Sequence, residues 1–244
     1  MMPIGALAKK ALQTIQIYLQ GFVHLLYPHV CLQCASENLS TEQIICDQCE
    51  TLLPYTDFAA IQNSPVDKIF WGRIKLKKSI SILFYTKESI VQKILFELKY
   101  KQNKKAGLLL GKLMAATLNE CIELNDTTFL VPIPISNARK RKRGYNQTEL
   151  ICTSILADGC KLTIFKGLLK TKNSVTQTHK DRVQRGLHLS SLFKLTHAHV
   201  LADKDIVIID DVLTTGATIE AAYHCLLKAK PKSISMITAA YTLD

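Results

Sequence analysis

An apolar strand, a pair of carboxylates and a glycine-containing turn follow one another in the run IVIIDDVLTTGATIE, residues 206–220. The order predicts a buried strand that ends in Asp210 and Asp211, followed by a turn that opens a helix. Exposed backbone N–H groups at such a turn form a concavity that suits a phosphate, and Gly216 permits close backbone approach. The two carboxylates can accept hydrogen bonds from adjacent ribose hydroxyls. The run therefore predicts a ribose 5-phosphate site; the alternative is a capped turn with two solvated aspartates.

From about residue 77 to the last strand, apolar strands alternate with amphipathic helices. The expected strands are 79–85, 129–135, 205–209 and 233–241, and the expected helices are 89–100, 106–121, 144–157 and 216–228. This alternation is typical of a parallel sheet with crossover helices. The polar stretch 170–190 has no strong periodicity, which indicates a mobile or functional loop.

Four cysteines form two C-x2-C pairs, Cys31 with Cys34 and Cys46 with Cys49. This spacing predicts a closed tetrahedral site for a structural zinc ion, with no coordination position left for catalysis. Redox chemistry and free thiols are the alternatives, and disulfides fit poorly without a secretory signal. The other cysteines are expected to be small core residues: Cys121, Cys152, Cys160 and Cys225.

The first 67 residues carry no recognisable secretory signal, and residues 11–27 are too interrupted by glutamines to span a membrane. We expect an amphipathic helix docked on the protein there, the alternative being a membrane-surface anchor. The sequence thus predicts an N-terminal helix and zinc module over 1–57 and an α/β domain over 58–244. It also predicts a cytoplasmic protein without a transmembrane segment.

Positive charge is concentrated in the middle of the chain, whose formal net charge is +11. Residues 68–112 hold twelve Lys or Arg against two Asp or Glu, whereas residues 1–67 hold two against six. A further five consecutive basic residues occupy 139–143. Such a concentration attracts pyrophosphate, nucleic acid or an anionic membrane surface, although a solvated basic face remains the alternative.

The run 206–220 resembles the motif with which type I phosphoribosyltransferases bind 5-phosphoribosyl 1-pyrophosphate (PRPP), and it has no departures from that motif. The segments VPIPIS and RKRKRGYNQTELI within 131–151, ELKY at 97–100 and the four cysteines resemble the ComF (or GntX) family. The resemblance implies a type I phosphoribosyltransferase-like parallel sheet flanked by helices, with a small N-terminal four-cysteine zinc module. It also implies binding of PRPP together with Mg²⁺.

Residue roles follow from the same resemblance. PRPP contacts are implied at Asp210, Asp211, Val212, Leu213, Thr214, Thr215, Gly216, Ala217 and Thr218. Pyrophosphate or DNA contacts are implied at Arg139, Arg141, Arg143, Gln177, Arg182 and Arg185. The loop departs from the family pattern, since His188 and Ser191 stand where an Asn and a Gly are usual, and this puts the loop's role in doubt. No catalytic residue is assigned.

Three functions are compatible with these residues. The resemblance implies a PRPP-binding protein that takes part in uptake or processing of single-stranded DNA during natural transformation, with partners in the uptake machinery at the inner membrane face. The alternative is an active phosphoribosyltransferase of nucleotide or base metabolism. A PRPP-sensing regulator is a third, but the sequence has no helix-turn-helix. Trp71 and Tyr85 could stack nucleobases, although we expect both in the core, and His179 and His188 at the surface.

Overall fold

The structure, a computed structural model, describes residues 28–157, 162–171 and 192–243. The predicted helix at 11–27, Cys160 and most of the polar stretch 170–190 lie outside the described residues. The chain divides into two compact units, with the division between Leu52 and Leu53. The domain boundary after residue 57 that the sequence suggested stays a prediction.

The described part of the first unit, residues 28–52, is a short segment with few buried apolar side chains. It contains one short helix in its described part, α1 (Asp47–Thr51). Backbone hydrogen bonds close its turns, among them Leu32 N–H to the Ile44 carbonyl at 2.9 Å. Its buried side chains are mainly two isoleucines and three of the four paired cysteines: Ile44, Ile45, Cys31, Cys46 and Cys49. These few side chains give residues 28–52 only a small apolar core, because burial scales with chain length.

The second unit is built on a five-stranded parallel sheet. Its strands are β1 (Ser79–Tyr85), β2 (Thr128–Pro132), β3 (Thr163–Ile164), β6 (Asp205–Leu213) and β7 (Ser233–Thr242). They lie in the order β1-β7-β6-β2-β3, and every pairing is parallel. A separate antiparallel pair joins β4 (Leu168–Lys170) to β5 (Phe193–Leu195).

Helices cover both faces of this sheet. They are α2 (Pro65–Phe70), α3 (Ile90–Tyr100), α4 (Lys104–Cys121), α5 (Asn137–Arg143), α6 (Gln147–Ala157) and α7 (Ala217–Leu226). Helices α3, α4 and α6 pack on one face, whereas α2 and α7 contribute to the core on the other. The predicted parallel sheet flanked by helices is therefore confirmed. Alternate residues of the buried strands fill both layers, which explains their nearly continuous apolar sequence.

Several predicted element bounds were wrong. Strand β6 continues to Leu213 and so includes both aspartates, because its backbone stays paired with β7 beyond Ile209. Strand β2 ends at Pro132; one more ladder bond follows, from the Ile133 N–H to the Ile209 carbonyl at 2.9 Å, and Pro134 then has no N–H to continue it. A capping box at Ser64 starts α2 upstream of residue 77, where the sequence pattern of strands and helices was expected to begin.

The order of the strands fixes where a ligand site can form. From β2 the chain moves outward to β3, and from β6 it moves the opposite way to β7. The two directions diverge between β2 and β6, which are neighbours in the sheet. In open parallel sheets the crevice at such a switch point, outside the carboxyl ends of the strands, is where ligands bind.

Candidate functional site

A cavity of about 660 Å³ lies at the carboxyl ends of the strands. Residues from the ends of β1, β2, β6 and β7 line it, and helices α3, α5 and α6 with β4 complete the wall. The lining includes Asp210, Asp211 and Val212, then Thr214 and Thr218 beyond the strand. The structure thus brings five of the nine predicted PRPP contacts to one cavity, at the position expected from the strand order.

The two aspartates are held differently. Asp211 accepts from two side chains at the same oxygen: its Oδ2 lies 3.0 Å from Lys99 Nζ and 3.3 Å from Gln147 Nε2. Asp210 Oδ1 accepts the backbone N–H of Asp211 at 2.8 Å. Asp211 is therefore charge-paired from helix α3, whereas Asp210 has only a backbone donor among the described hydrogen bonds.

Burial raises the pKa of the Asp210 carboxyl from 3.8 to about 8, and the neighbouring Asp211 charge adds to this rise. Lys99 and Lys170 act in the opposite direction. Burial in turn lowers the pKa of Lys170, as does the positive charge of Arg139, while Asp210 raises it. A carboxyl whose pKa is raised by burial and by a second carboxylate, in a cavity at strand ends, marks a candidate functional site.

Backbone conformation shapes the turn after β6. Gly216 adopts φ +74° and precedes the first residue of α7. A Cβ placed there would lie 2.7 Å from Phe70 Cε1 and 2.8 Å from Ile69 Cγ2, so helix α2 leaves room only for glycine. Arg73 fastens this contact, because its Nη1 donates to the carbonyls of Ile69 and Thr215, each at 3.0 Å.

Arg73 also binds the first turn of α7. Its Nε donates to Glu220 Oε2 at 3.1 Å, and its Nη2 bonds the same oxygen. The sequence contained no signal for this role of Arg73, since Thr215 and Glu220 lie more than 140 positions away. The turn is therefore braced from outside the cavity, which leaves its inner N–H groups to a ligand.

The basic run 139–143, to which the sequence pattern assigned no element, lies in helix α5. Ser136 caps it, its hydroxyl accepting the Arg139 N–H at 3.4 Å, and Gly144 ends it at φ +77°. Arg139 and Arg143, four residues apart on one helical face, both line the cavity. Arg141 does not line it and is exposed. The helical period thus separates arginines that the sequence had grouped.

The start of α6 holds polar side chains against the end of β2. Thr148 Oγ1 and Asn146 Nδ2 both donate to the Ile133 carbonyl, at 2.7 Å and 3.2 Å. Gln147 is buried, and its Oε1 has no hydrogen-bond partner among the described residues. A buried acceptor without a partner in the cavity wall is ready for a ligand or a hydrated ion. The sequence alone singled out neither Gln147 nor Lys99 as a site residue.

Two aromatic predictions were wrong. Trp71 is exposed, since it follows the last residue of α2 and points away from the core. Tyr85 is half-buried and lines the cavity. The other residues assigned to the polar stretch lie outside the described residues: Gln177, His179, Arg182, Arg185 and His188.

The four paired cysteines converge in the first unit. Their sulfur atoms all lie within 4.8 Å of one another, and Cys34 Sγ is 3.7 Å from Cys46 Sγ. A tetrahedral zinc ion with Zn–S bonds of about 2.3 Å requires sulfur separations of about 3.8 Å. The donor set and its spacing fit that group. Of the other cysteines in the described residues, Cys152 and Cys225 are buried as predicted, and Cys121 is half-buried.

Backbone donors tune the cluster. The Cys46 N–H points to Cys31 Sγ at 3.3 Å. Burial by itself raises the pKa of the Cys31 thiol. The Cys46 N–H and other backbone donors outweigh the effect of burial and lower that pKa to about 6. Burial and the neighbouring sulfurs raise the pKa of Cys49 to about 12. One thiolate is thus favoured even without an ion, whereas four are favoured only around a cation.

Across the described residues, the structure contains no helix long and apolar enough to cross a membrane.

Comparison with known proteins places this site in a family. A family model described as phosphoribosyl transferase domain matches residues 104–243, more than half of the chain. Competence protein ComFC of Bacillus subtilis is 36% identical over 110 residues, which are 45% of this chain but only 42% of that protein. DNA utilization protein YhgH of Salmonella typhimurium is 24% identical over 220 residues, covering 88% of this chain and 89% of that protein.

Structural comparison gives a weaker likeness. A hypoxanthine phosphoribosyltransferase from Staphylococcus aureus aligns with TM-score 0.38 and 15% identity, over 57% of this chain and 74% of that one. This likeness is too low to support a conclusion. Membership of the family is supported by the family model, the relatives and the strand order.

The strand order, the carboxylate pair and the braced threonine–glycine turn define the class: this chain belongs to the phosphoribosyl transferase domain family. Within that class it resembles the ComF proteins, because its relatives include proteins named competence protein ComFC and DNA utilization protein YhgH.

Proposed function

We propose that the chain binds PRPP with Mg²⁺ in the 660 Å³ cavity. The observation that carries the proposal is the convergence of two aspartates and a braced threonine–glycine turn at the switch point of the sheet. Asp210 and Asp211 accept hydrogen bonds from the ribose 2- and 3-hydroxyls. The N–H groups and hydroxyls of Thr214 to Thr218 bind the 5-phosphate.

The pyrophosphate of PRPP lies toward helix α5 in this proposal. Arg139 and Arg143 face the cavity and can each bind a phosphate through two parallel hydrogen bonds. Lys99 and Lys170 add positive charge on the other sides of the cavity. A diphosphate carries more charge than any one of these cations neutralises, so the site uses several.

Magnesium fits the carboxylate oxygens and the free Gln147 Oε1, since it prefers hard oxygen ligands and keeps several of its waters. When bound, the ion neutralises negative charge on the pyrophosphate. The chain's own contribution is to hold the ribose between Asp210, Asp211 and the phosphate turn.

The biological role that we propose is uptake or processing of single-stranded DNA. The names of the relatives, competence protein and DNA utilization protein, support it, as does the basic segment that includes α5. We also propose that the chain acts on the cytoplasmic side of the membrane with partners of the uptake machinery. Resistance of the chain to protease added outside intact cells tests that placement, and cleavage would contradict it.

Helix α5 allows a matched test of both ligands. Replacing Arg139 and Arg143 by Gln should weaken PRPP binding about 10- to 100-fold, because charge-assisted hydrogen bonds to the pyrophosphate are removed. Arg141→Gln removes the same charge from the opposite helical face and should leave PRPP affinity unchanged. Isothermal titration with Mg²⁺ present measures both. If Arg141→Gln weakens PRPP binding as much as a change at a cavity arginine does, the orientation of the pyrophosphate is wrong.

The same variants separate DNA binding from PRPP binding. If α5 binds a single strand, the logarithm of affinity falls with the logarithm of salt concentration, and this slope should flatten by about 0.7 for each DNA phosphate that a variant no longer neutralises. A labelled oligonucleotide followed by fluorescence anisotropy gives that slope. A slope unchanged in single Gln variants of all three arginines would remove α5 from the proposed DNA surface.

Phosphoribosyl transfer itself is a second candidate, favoured by the open part of the cavity next to the carboxylates, where an acceptor has room. Release of pyrophosphate from PRPP that requires an added base or oligonucleotide would support it. Tight PRPP binding without any such release, across a panel of acceptors, would leave the binding role alone.

We propose that Cys31, Cys34, Cys46 and Cys49 hold one structural zinc ion per chain, since their sulfur separations fit it. Purified protein should contain about one equivalent of zinc, and a chelator should release it with loss of structure in the first unit. Zinc-free protein with four titratable thiols would contradict this proposal.

A further inference from the structure

A second cavity, of about 400 Å³, lies between strand β4 and the helices α5 and α6. We call it the β4 groove. Its apolar lining comes from prolines and aliphatic residues: Pro132, Pro134, Ile135, Leu168 and Leu169. Its polar lining comes from lysines, asparagines and a glutamate: Lys140, Lys166, Lys170, Asn137, Asn146 and Glu149. The β4 groove therefore combines apolar surface with positive charge.

Strand β4 borders this groove along one of its two edges. Its other edge pairs with β5, and no third strand joins the pair among the described residues. Leu168 is 3% exposed and packs in the core, whereas Leu169 is 46% exposed. Successive side chains of a strand point to opposite faces. Leu168, Leu169 and Lys170 can therefore all line one cavity only if that cavity runs along the edge of the strand.

The ladder between β4 and β5 shows which backbone groups the open edge offers. The Thr196 N–H donates to the Gly167 carbonyl at 2.9 Å, so these two residues form a hydrogen-bonded pair. Hydrogen-bonded and non-hydrogen-bonded pairs alternate along an antiparallel ladder. The N–H and C=O groups of Leu168 and Lys170 are therefore directed away from β5, toward the groove. Such a row of backbone groups is a template for a further strand.

The charge around the groove is mainly positive. Lys166 is exposed, and 51% of the Lys140 side chain is exposed. Lys140 Nζ lies 3.4 Å from Glu149 Oε1, so the glutamate of the lining is already paired with a cation. Carboxylates in an occupant would be attracted to this surface, whereas lysines or arginines would be repelled.

We propose that the β4 groove binds an extended acidic segment of a partner protein, which adds a strand to the open edge of β4. Main-chain hydrogen bonds with Leu168 and Lys170 hold the segment in place. Its apolar side chains contact Leu169 and the prolines, and its carboxylates pair with Lys166 and its neighbours. A peptide fits this edge better than a nucleic acid, because only a peptide backbone alternates N–H and C=O groups. The proposal goes beyond PRPP binding and does not depend on it.

The test compares two labelled hexapeptides, one of alternating valine and glutamate and one of alternating valine and lysine. Fluorescence anisotropy with the full chain gives the Kd of each at about 0.15 M salt, where charges more than about 8 Å apart are largely screened. The acidic peptide should bind at least about tenfold more tightly than the basic one. Lys166→Glu should reduce this preference at least about threefold, because it replaces an attraction by a repulsion.

A matched control comes from helix α5. Lys142 is exposed and does not line the groove, so Lys142→Glu makes the same change of charge and should keep the preference of the parent. PRPP affinity, measured by isothermal titration, should be the same in Lys166→Glu and the parent, since Lys166 does not line the 660 Å³ cavity. A chain that binds the acidic peptide but not PRPP would support the groove and contradict the proposed PRPP function alone.

Methylation of the peptide backbone tests strand addition without changing the protein. Methyl groups on alternate nitrogens remove the N–H donors along one edge of the peptide and keep those along the other. One of the two alternate sets should weaken binding at least about tenfold, and the other should keep the Kd within about twofold. An equal effect of both sets would overturn strand addition.

Two further results would contradict the proposal. One is an acidic peptide that does not bind at millimolar concentration, or whose preference over the basic peptide is the same in Lys166→Glu as in the parent. The other is a labelled ten-nucleotide single-stranded DNA that binds more tightly than the acidic peptide and loses affinity in Lys166→Glu but not in Lys142→Glu. That result would assign the β4 groove to a nucleic acid.

Discussion

Replacing Asp210 by Asn should stabilise the protein without ligand, in a way that depends on pH. The carboxyl has a pKa of about 8 in the native state, raised from 3.8 by burial and by Asp211. Between these pH values the native state holds a proton that the unfolded state has lost. The contribution of this carboxyl to stability therefore falls as pH rises from about 4 to about 8, because the unfolded state binds fewer protons at this position. Asn carries no charge at any pH, so the variant avoids this loss.

The size of the effect follows from the same interval. Each pH unit is worth about 1.4 kcal/mol, so the interval from 3.8 to about 8 sets an upper limit of about 6 kcal/mol. The cavity is open to water, and Lys99 and Lys170 offset part of the cost of ionisation. We expect the gain of Asp210→Asn over the parent to be near zero at pH 4 and about 2 kcal/mol at pH 8.

Urea unfolding followed by circular dichroism, at intervals from pH 5 to pH 9, measures this difference. Asp126→Asn, at an exposed aspartate outside the cavity lining, is the control and should follow the parent at every pH. Asp210→Asn should also bind PRPP less tightly, so the variant exchanges affinity for stability. A difference between variant and parent that stays flat from pH 5 to pH 9 would refute the reasoning about this carboxyl.

Two further predictions concern backbone and metal. Gly216→Ala should cost roughly 2–4 kcal/mol of unfolding free energy, because a Cβ there adds a clash with Phe70 to the strain of a positive φ. Gly144 also has a positive φ, but no atom lies within 4 Å of the position of an added Cβ. Gly144→Ala should therefore cost only about 1–2 kcal/mol. Equal costs in urea unfolding would show that the contact with α2 does not matter. Cys46→Ser should lose zinc, measured by metal analysis, and should lower the melting temperature, whereas Cys225→Ser should keep zinc. If both variants keep zinc, the four paired cysteines are not the zinc site.

The sheet was predictable because buried strands and amphipathic helices alternate in the sequence. The phosphate turn was predictable for a different reason: all its groups are contiguous between Asp210 and Thr218, so their proximity follows from the chain itself. The cysteine cluster is similar, since two C-x2-C pairs need only one chain reversal to meet. In each case the chemistry is local in sequence.

The remaining parts of the site depend on contacts between distant segments. Lys99 reaches Asp211 across the cavity, and Arg73 reaches the Thr215 carbonyl from beyond helix α2. No spacing rule relates such residues, because only the folded sheet brings their elements together. The separation of Arg141 from its neighbours required knowing that residues 137–143 form a helix. A run of basic residues predicts local positive charge, but it does not predict which of its side chains face the cavity.

The central claim is that PRPP binds at the carboxyl end of β6, and thermal unfolding with PRPP and Mg²⁺ tests it most directly. A ligand that binds only the native state stabilises it by about 2.7 kcal/mol at one hundred times its Kd. The melting temperature of the parent should therefore rise with PRPP concentration, and that of a variant with Asp210→Ala and Asp211→Ala should not. An equal rise in both proteins, or none in the parent at millimolar PRPP, would contradict the account.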